Sequence, residues 1–136
     1  MNPNYNQNYT KEQIELILEK IWDCVRCNHF YIAKNENRIE NTKFINNYNL
    51  STGRQKDILL KIESDDFCHS LQNIKLGFEH ETLYVFCPQV ELFNFDGEKE
   101  VVDIYIKFNI IEYGTSTRVV TISFHKRNDP LDYLFR

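Results

Sequence analysis

Hydrophobic positions in the first half of the chain recur at helical spacing. Thr10 and Gln13 have the spacing of a capping box, and apolar residues follow them every three or four positions as far as Cys27. This pattern predicts an amphipathic helix. The same spacing predicts a second helix over residues 38–48 and a third over residues 50–62.

The segments around these helices carry other signals. Residues 1–9 are rich in Asn and Tyr without periodicity, so we predict a flexible tail before a single domain that spans residues 10–136. Residues 30–33 suit a short extended piece. Ser64, which two aspartates follow, predicts a capped turn after the third helix.

The hydrophobic period changes to two in the second half. A strand-like run, TLYVFCPQVELF, begins at Thr82 and is bent by Pro88. Two further runs, VVDIYIKFNII and RVVTISFHK, alternate apolar with polar residues on either side of a turn at Tyr113 and Gly114. We therefore predict an α+β fold, with N-terminal helices packed on a C-terminal antiparallel sheet.

The alternation also predicts a polar face. If the even-numbered residues of both strands face the core, the opposite face carries Tyr105, Lys107, Asn109, Thr121, Ser123 and His125. Tyr84 and Phe86 join it if the first strand pairs alongside. A phenol, an ammonium group and an imidazole suit cleavage of RNA without a metal, because the reaction needs a base, an acid and a cation for the phosphorane. A solvated sheet face with a capped histidine explains the same pattern.

Charge is unevenly distributed along the 136 residues. The net charge is -4, and residues 57–104 carry 11 acidic and 3 basic groups, whereas both flanking segments are mildly basic. This argues against a protein that coats nucleic acid by bulk electrostatics. No apolar run is long enough to span a membrane and no secretory signal begins the chain, so we predict a cytoplasmic protein.

The four cysteines give a weaker signal. Cys24, Cys27 and nearby His29 invite a zinc site, but a second pair of ligands at tight spacing is missing. Cys68, which His69 follows, lies far along the chain. The simpler interpretation is that the sulfurs pack as small hydrophobic groups, with no metal and no other cofactor.

Several segments together resemble a known family. The residues from Ser123 to Phe135 follow the pattern SFH-x(4)-PL-x-Y-x-F, and DIYIKFNI precedes them. Upstream stand ENRIENTKFINNYNLS, KDILLKIESDDF and TLYVFCPQVEL. In order and spacing, over residues 36–136, these segments resemble the MqsR-like branch of type II toxin–antitoxin toxins.

The resemblance implies a RelE-like fold and an mRNA endoribonuclease, acting free or on the ribosome, that a cognate antitoxin neutralises. It implies catalytic roles for Tyr105, Lys107 and His125, the last of which moves to Lys126 if the register slips by one. The family's lysine in the Asp-Phe turn falls on His69, a weaker cation.

Further residues suit contacts to single-stranded RNA. Lys126 and Arg127 would clamp phosphate, Tyr84 would stack on a base, and His69 would stand for the missing lysine. Arg38 suits a surface helix position or a phosphate contact.

A second class of function stays open. The acidic segment over residues 57–104 and the missing family lysine also suit a non-catalytic inhibitor or regulator from a mobile element. Such a protein would use its acidic surface, including Glu98 and Glu100, to bind a basic partner.

Overall fold

Three α-helices occupy the first half of the protein, where the sequence predicts them. The computed structural model describes residues 3–136, apart from the side chain of Asn37. The helices are α1 (Lys11–Arg26), α2 (Ile39–Asn47) and α3 (Thr52–Leu60). The predicted capping box is present at the start of α1, where the side chain of Thr10 accepts a hydrogen bond from the backbone N–H of Gln13.

Six strands form the sheet, and they confirm the α+β class. They are β1 (Phe30–Ile32), β2 (Phe67–Gln72), β3 (Thr82–Phe86), β4 (Gln89–Phe93), β5 (Lys99–Tyr113) and β6 (Ser116–Lys126). The strand order is β1-β6-β5-β3-β2, and β1 alone is parallel to its neighbour. Strands β3 and β4 follow one edge of β5 in a single register, with a break at Pro88.

The sequence analysis missed β2 and misplaced the cap before it. Strand β2 lacks the alternation of a half-buried strand because its first four residues are all buried. A bulge at Cys68 interrupts its pairing as well. The preceding 3₁₀ turn, Ser64–Asp66, is closed by Asp66, whose carboxylate accepts a hydrogen bond from the backbone of Glu63, and not by Ser64.

The two faces of the sheet are covered differently. The three helices cover one face and form the main core with side chains such as Ile106, Phe108 and Phe124. On the other face a smaller apolar cluster contains Cys68, Val85 and Cys87, and residues of the C-terminal segment pack over it. The C-terminal segment therefore covers this second face only in part, and polar side chains of the sheet line the hollows that remain.

A bulge in β6 corrects the predicted polar face. Lys107 lies opposite Ser123, but the next residue, Phe108, lies opposite Thr121, so Ile122 is an extra residue in β6. Opposed residues of an antiparallel pair lie on the same face. Thr121 is therefore buried on the helix side with Phe108, contrary to the prediction from strict alternation.

The N-terminal segment, predicted as a tail, contacts β2 in its described part. Residues 1 and 2 lie outside the described residues. Asn6 pairs with Ser70 through two backbone hydrogen bonds, and the Tyr5 ring stacks on the His69 ring at 3.6 Å. Within residues 3–136, no helix has the length and apolar character needed to cross a membrane.

Candidate active site

The second face of the sheet holds a small polar hollow, which we call the cleft. Two cross-strand pairs form its floor, Tyr105 opposite His125 and Lys107 opposite Ser123. The N-terminal Tyr5 and residues 128–131 of the C-terminal segment complete its walls, and its volume is about 240 Å³. The sequence therefore predicted correctly that the phenol, the amine and the imidazole share one face and line one hollow.

A second hollow adjoins the cleft at the start of α2. It has a volume of about 280 Å³ and shares Ser123 and His125 with the cleft. Arg38 and Glu40 enter the site from this side. Helix α2 packs on β6, and the contact is anchored by Asn41, whose side-chain oxygen accepts a hydrogen bond from the backbone N–H of Phe124. This contact brings Arg38 and Glu40 to the end of β6.

The imidazole of His125 is held by contacts at one nitrogen. Its Nδ1 lies 2.8 Å from the backbone oxygen of Lys126 and 3.5 Å from the Glu40 carboxylate. A carbonyl oxygen only accepts hydrogen bonds, so Nδ1 carries the proton and Nε2 holds the lone pair of the neutral ring. The side chain is only 16% exposed, and its ring stacks beside that of Tyr105 at a centroid distance of 5.4 Å.

Two cations, Lys107 and Arg38, lie near each other in this site, and neither forms an ion pair within residues 3–136. Burial lowers the pKa of Lys107, and the positive charge of Arg38 lowers it further, so the two cations lie close enough to repel each other. Among residues 3–136, neither side chain has a carboxylate within ion-pair distance, although Asp129 lines the cleft. Uncompensated, partly buried cations favour the binding of an anion.

Tyr105 is partly shielded from solvent in the cleft. Burial raises its pKa to about 12, and the neighbouring Tyr5 phenol adds to the shift. The phenol therefore keeps its proton over the physiological range. It can donate a hydrogen bond or a proton to a substrate oxygen.

His69 lies on the same face of the sheet as Lys107 but is buried. It lies across β3 from Lys107, is 2% exposed, and its Nε2 has no hydrogen-bond partner among the described residues. Burial lowers its pKa to about 4, and the charge of Lys107 acts in the same direction. The ring is therefore neutral at pH 7, and it does not supply the cation that the family lysine would.

The remaining predicted contact residues lie outside the cleft. Tyr84 is opposite Phe108 and therefore lies on the helix side, where it packs in the main core, contrary to the face predicted for it. Lys126 is opposite Ile104, so it also lies on the helix side, and its ammonium pairs with Glu100 at 3.1 Å. This register identifies His125, and not Lys126, as the basic residue beside Tyr105.

Arg127 and Asn109 lie near the ends of the polar face. Arg127 forms an ion pair with Asp103 at 3.1 Å. Asn109 lies two positions beyond Lys107 on β5, where it lines a different hollow at the far end of the strand. Neither side chain lines the cleft.

The prediction that Cys24 and Cys27 both pack as small hydrophobic groups is correct for Cys24 and wrong for Cys27. Cys24 is buried and its thiol donates a hydrogen bond to the backbone oxygen of Thr117, whereas Cys27 is exposed. Burial raises the pKa of Cys24, which favours the neutral thiol. In the part of the chain that the structure describes, no three His, Cys, Asp or Glu side chains converge in a group able to hold a metal ion.

Sequence reasoning missed two residues of this site and favoured a different role for a third. Glu40 and Tyr5 carry no local signal, since they approach His125 and Tyr105 only through tertiary packing. For Arg38 the sequence favours a surface helix position over a phosphate contact.

Comparison with protein-family models, with curated proteins and with solved structures gives no match. The resemblance to the MqsR-like toxins therefore stays a prediction. The fold and the site define a mixed α+β protein with a polar cleft on the sheet face opposite the helices.

Proposed function

We propose that the protein is a metal-independent endoribonuclease toxin of a type II toxin–antitoxin system, with mRNA as its substrate. The observation that carries the proposal is that Lys107 and Arg38, which form no ion pair among the described residues, lie beside His125 and Tyr105. In a chain of net charge -4, this site is suited to an anion. A phosphodiester combines that charge with atoms on which an imidazole and a phenol can act.

The residues support a complete cycle of proton transfers. Nε2 of His125 takes the proton of a ribose 2′-OH, and the 2′-oxygen attacks the adjacent phosphorus. Lys107 and Arg38 stabilise the phosphorane charge. The bond to the 5′-oxygen breaks, and that oxygen takes a proton from Tyr105, which the imidazolium of His125 then restores. The products are a 2′,3′-cyclic phosphate and a free 5′-hydroxyl.

Glu40 completes the scheme as a positioning residue. Its carboxylate lies beside the protonated nitrogen of His125, on the side away from the proposed substrate nitrogen. A negative charge there stabilises the imidazolium that forms during the reaction. The proposal includes a RelE-like topology and a cognate antitoxin that covers the cleft, whether the mRNA is free or on the ribosome.

Cleavage of a single-stranded RNA in the presence of EDTA tests the proposal. We expect the parent protein to produce 2′,3′-cyclic phosphate ends, and we expect His125→Ala to lower the rate by at least 100-fold, the typical contribution of a positioned acid or base. His80→Ala is the matched control, because His80 is exposed and lies in the β2–β3 loop away from the cleft. This variant should cleave at the parent rate.

Two results would contradict the proposal. One is the absence of cleavage by the parent protein both on free RNA and in a translating extract. The other is cleavage that persists on an RNA whose 2′-hydroxyl groups are methylated, because the proposed nucleophile is then missing. Equal activity of His125→Ala and the parent would remove His125 from the mechanism.

A second candidate function rests on the hairpin formed by β4 and β5. Phe93 and Val101 are exposed there, and the acidic Asp96 and Glu98 occupy its tip without an ion pair among the described residues. Exposed apolar side chains rimmed by carboxylates suit a basic protein partner. A partner whose binding is lost in Glu98→Lys but kept in His125→Ala would favour this non-catalytic function.

A further inference from the structure

A third hollow meets the site at His125, and we call it the tip groove. It has a volume of about 410 Å³ and runs between α2 and the tip of the β4–β5 hairpin. Tyr48, Lys43 and Asn47 line it from α2 and its C-terminal end, and Phe95 and Asp96 line it from the hairpin. His125 therefore lies where the tip groove and the cleft join.

Phe95 presents an aromatic ring on a rigid turn. Phe95 is 90% exposed, which is unusual for a phenylalanine. The turn that carries it is closed by Asn94, whose side-chain oxygen accepts hydrogen bonds from the backbone of Asp96 and Glu98. The turn therefore holds the Phe95 ring largely in solvent, at the edge of the tip groove.

The opposite wall of the tip groove is tied to the hairpin. Glu100 accepts hydrogen bonds from the Tyr48 hydroxyl at 2.9 Å and from Lys126 at 3.1 Å, and it also accepts one from Asn94. This network holds α2, β6 and the hairpin tip in one arrangement. The width of the tip groove is therefore set before any ligand enters.

The polar groups of the tip groove suit a nucleotide. Lys43 has no ion-pair partner among the described residues, so its ammonium is available to a phosphate. Asn47 and Asp96 offer an amide and a carboxylate to the edge of a base. Exposed aromatic rings beside cations are the usual platform for the bases of single strands.

We propose that the tip groove binds the nucleotide next to the scissile phosphate, with its base stacked on Phe95. This inference rests on the proposed function, because the RNA strand must cross His125 to connect the cleft with the tip groove. It makes Phe95 a substrate-binding residue that contacts the RNA without taking part in the proton transfers.

Binding of an uncleavable oligonucleotide tests this inference. The probe is a fluorescent RNA tetranucleotide with 2′-O-methyl groups throughout, and inorganic phosphate serves as the short ligand. We expect Phe95→Ala to weaken tetranucleotide binding about tenfold, the effect of losing one stacked base, and Phe95→Trp to restore it. Phosphate binding should be the same in the parent and in Phe95→Ala.

Phe93→Ala is the matched control. Phe93 is a 63% exposed aromatic residue on the same hairpin but does not line the tip groove. We expect it to bind the tetranucleotide as the parent does. An equal loss in both variants, or no loss in Phe95→Ala, would overturn the inference.

The outcomes separate this inference from the proposed function. If the parent protein binds the tetranucleotide through Lys107 but not through Phe95, the cleft is an RNA-binding site and the tip groove is not. If binding depends on Phe95 but ordinary RNA is not cleaved, the tip groove is a nucleotide site and the catalytic proposal is wrong. A parent protein that does not bind the tetranucleotide overturns the inference about the tip groove, whereas cleavage of free RNA and cleavage in a translating extract decide the catalytic proposal.

Discussion

At the scale of single residues, the most informative feature is the repulsion between Lys107 and Arg38. Burial and Arg38 both lower the pKa of Lys107, so its ammonium loses its proton at a lower pH than an ordinary lysine. Anion binding needs that proton. We therefore expect the affinity for inorganic phosphate to fall at alkaline pH, below the pH at which an ordinary lysine loses its proton, while phosphate itself stays a dianion.

Arg38→Gln tests the cause of this pH dependence. Removing the guanidinium should weaken phosphate binding about tenfold, as expected for a charge-assisted hydrogen bond. The alkaline fall in affinity should also move to higher pH, because the repulsion that lowers the pKa of Lys107 is gone. Calorimetric titration at several pH values measures both effects, with Lys75→Gln as a remote control. An unchanged pH profile in Arg38→Gln would show that the two cations do not interact.

His69 makes a prediction about stability. Its pKa is lowered from 6.5 to about 4 in the folded protein, so between these values the unfolded chain binds a proton that the folded chain does not. The contribution of neutral His69 to the free energy of unfolding is complete above pH 6.5 and is lost as the pH falls to about 4. Its size is about 3 kcal/mol in the free energy of unfolding.

Urea unfolding of His69→Gln measures that contribution. The parent should lose about 3 kcal/mol more than the variant between pH 6.5 and 4, because the variant has no buried imidazole to protonate. His80→Gln, which changes an exposed histidine, should retain the parent's slope. Parallel curves for the parent and His69→Gln would show that His69 titrates normally in the folded protein.

At the scale of elements, local signals predicted most of the helices and strands. The capping box of α1 and the strict alternation of β5 depend only on nearby residues, and both appear in the structure. The missed features depend on distant ones. Strand β2 is buried on both faces, and the extra Ile122 in β6 moves Thr121 to the helix side.

The candidate site shows the same division. Alternation correctly predicted that Tyr105, Lys107 and His125 share one face, because this requires only the two-residue period of each strand and the pairing of β5 with β6. The placement of Glu40 beside His125 depends on how α2 packs on β6. The burial of His69 depends on the Tyr5 ring that stacks on it. No local pattern contains that information.

The C-terminal segment behaves as an element of the site, although it is neither helix nor strand. The Tyr133 hydroxyl donates a hydrogen bond of 2.7 Å to the backbone oxygen of Cys87, and Leu131 packs over the same cluster while it walls the cleft. We expect Tyr133→Phe to lower the free energy of unfolding by about 1 kcal/mol, since it removes this shielded hydrogen bond.

Urea unfolding measures this loss, and Tyr31→Phe is the matched control. Tyr31 is exposed, so its variant should differ from the parent by less than about 0.5 kcal/mol. Equal stability of the parent and Tyr133→Phe would mean that the segment is not held at this point.

At the scale of the whole molecule, the site is an area of balanced charge on an acidic protein, because carboxylates line the same hollows as its cations: Glu36, Glu40, Asp96 and Asp129. Three cations without ion-pair partners among the described residues, Arg38, Lys43 and Lys107, line the cleft and the hollows that adjoin it, whereas the net charge is -4. Binding of single-stranded RNA should therefore release few counter-ions. We expect the logarithm of the association constant to fall with the logarithm of the salt concentration at a slope of about -2, from about 0.7 per phosphate contact.

The slope distinguishes a confined site from a broad nucleic-acid surface. In Arg38→Gln it should become shallower by about 0.7, because one phosphate contact is lost, while Lys75→Gln should leave it unchanged. Anisotropy titrations of the 2′-O-methyl RNA at several salt concentrations measure it. A slope of about -4 or steeper would require more cations than these hollows contain, and RNA binding would then have to use another face of the protein.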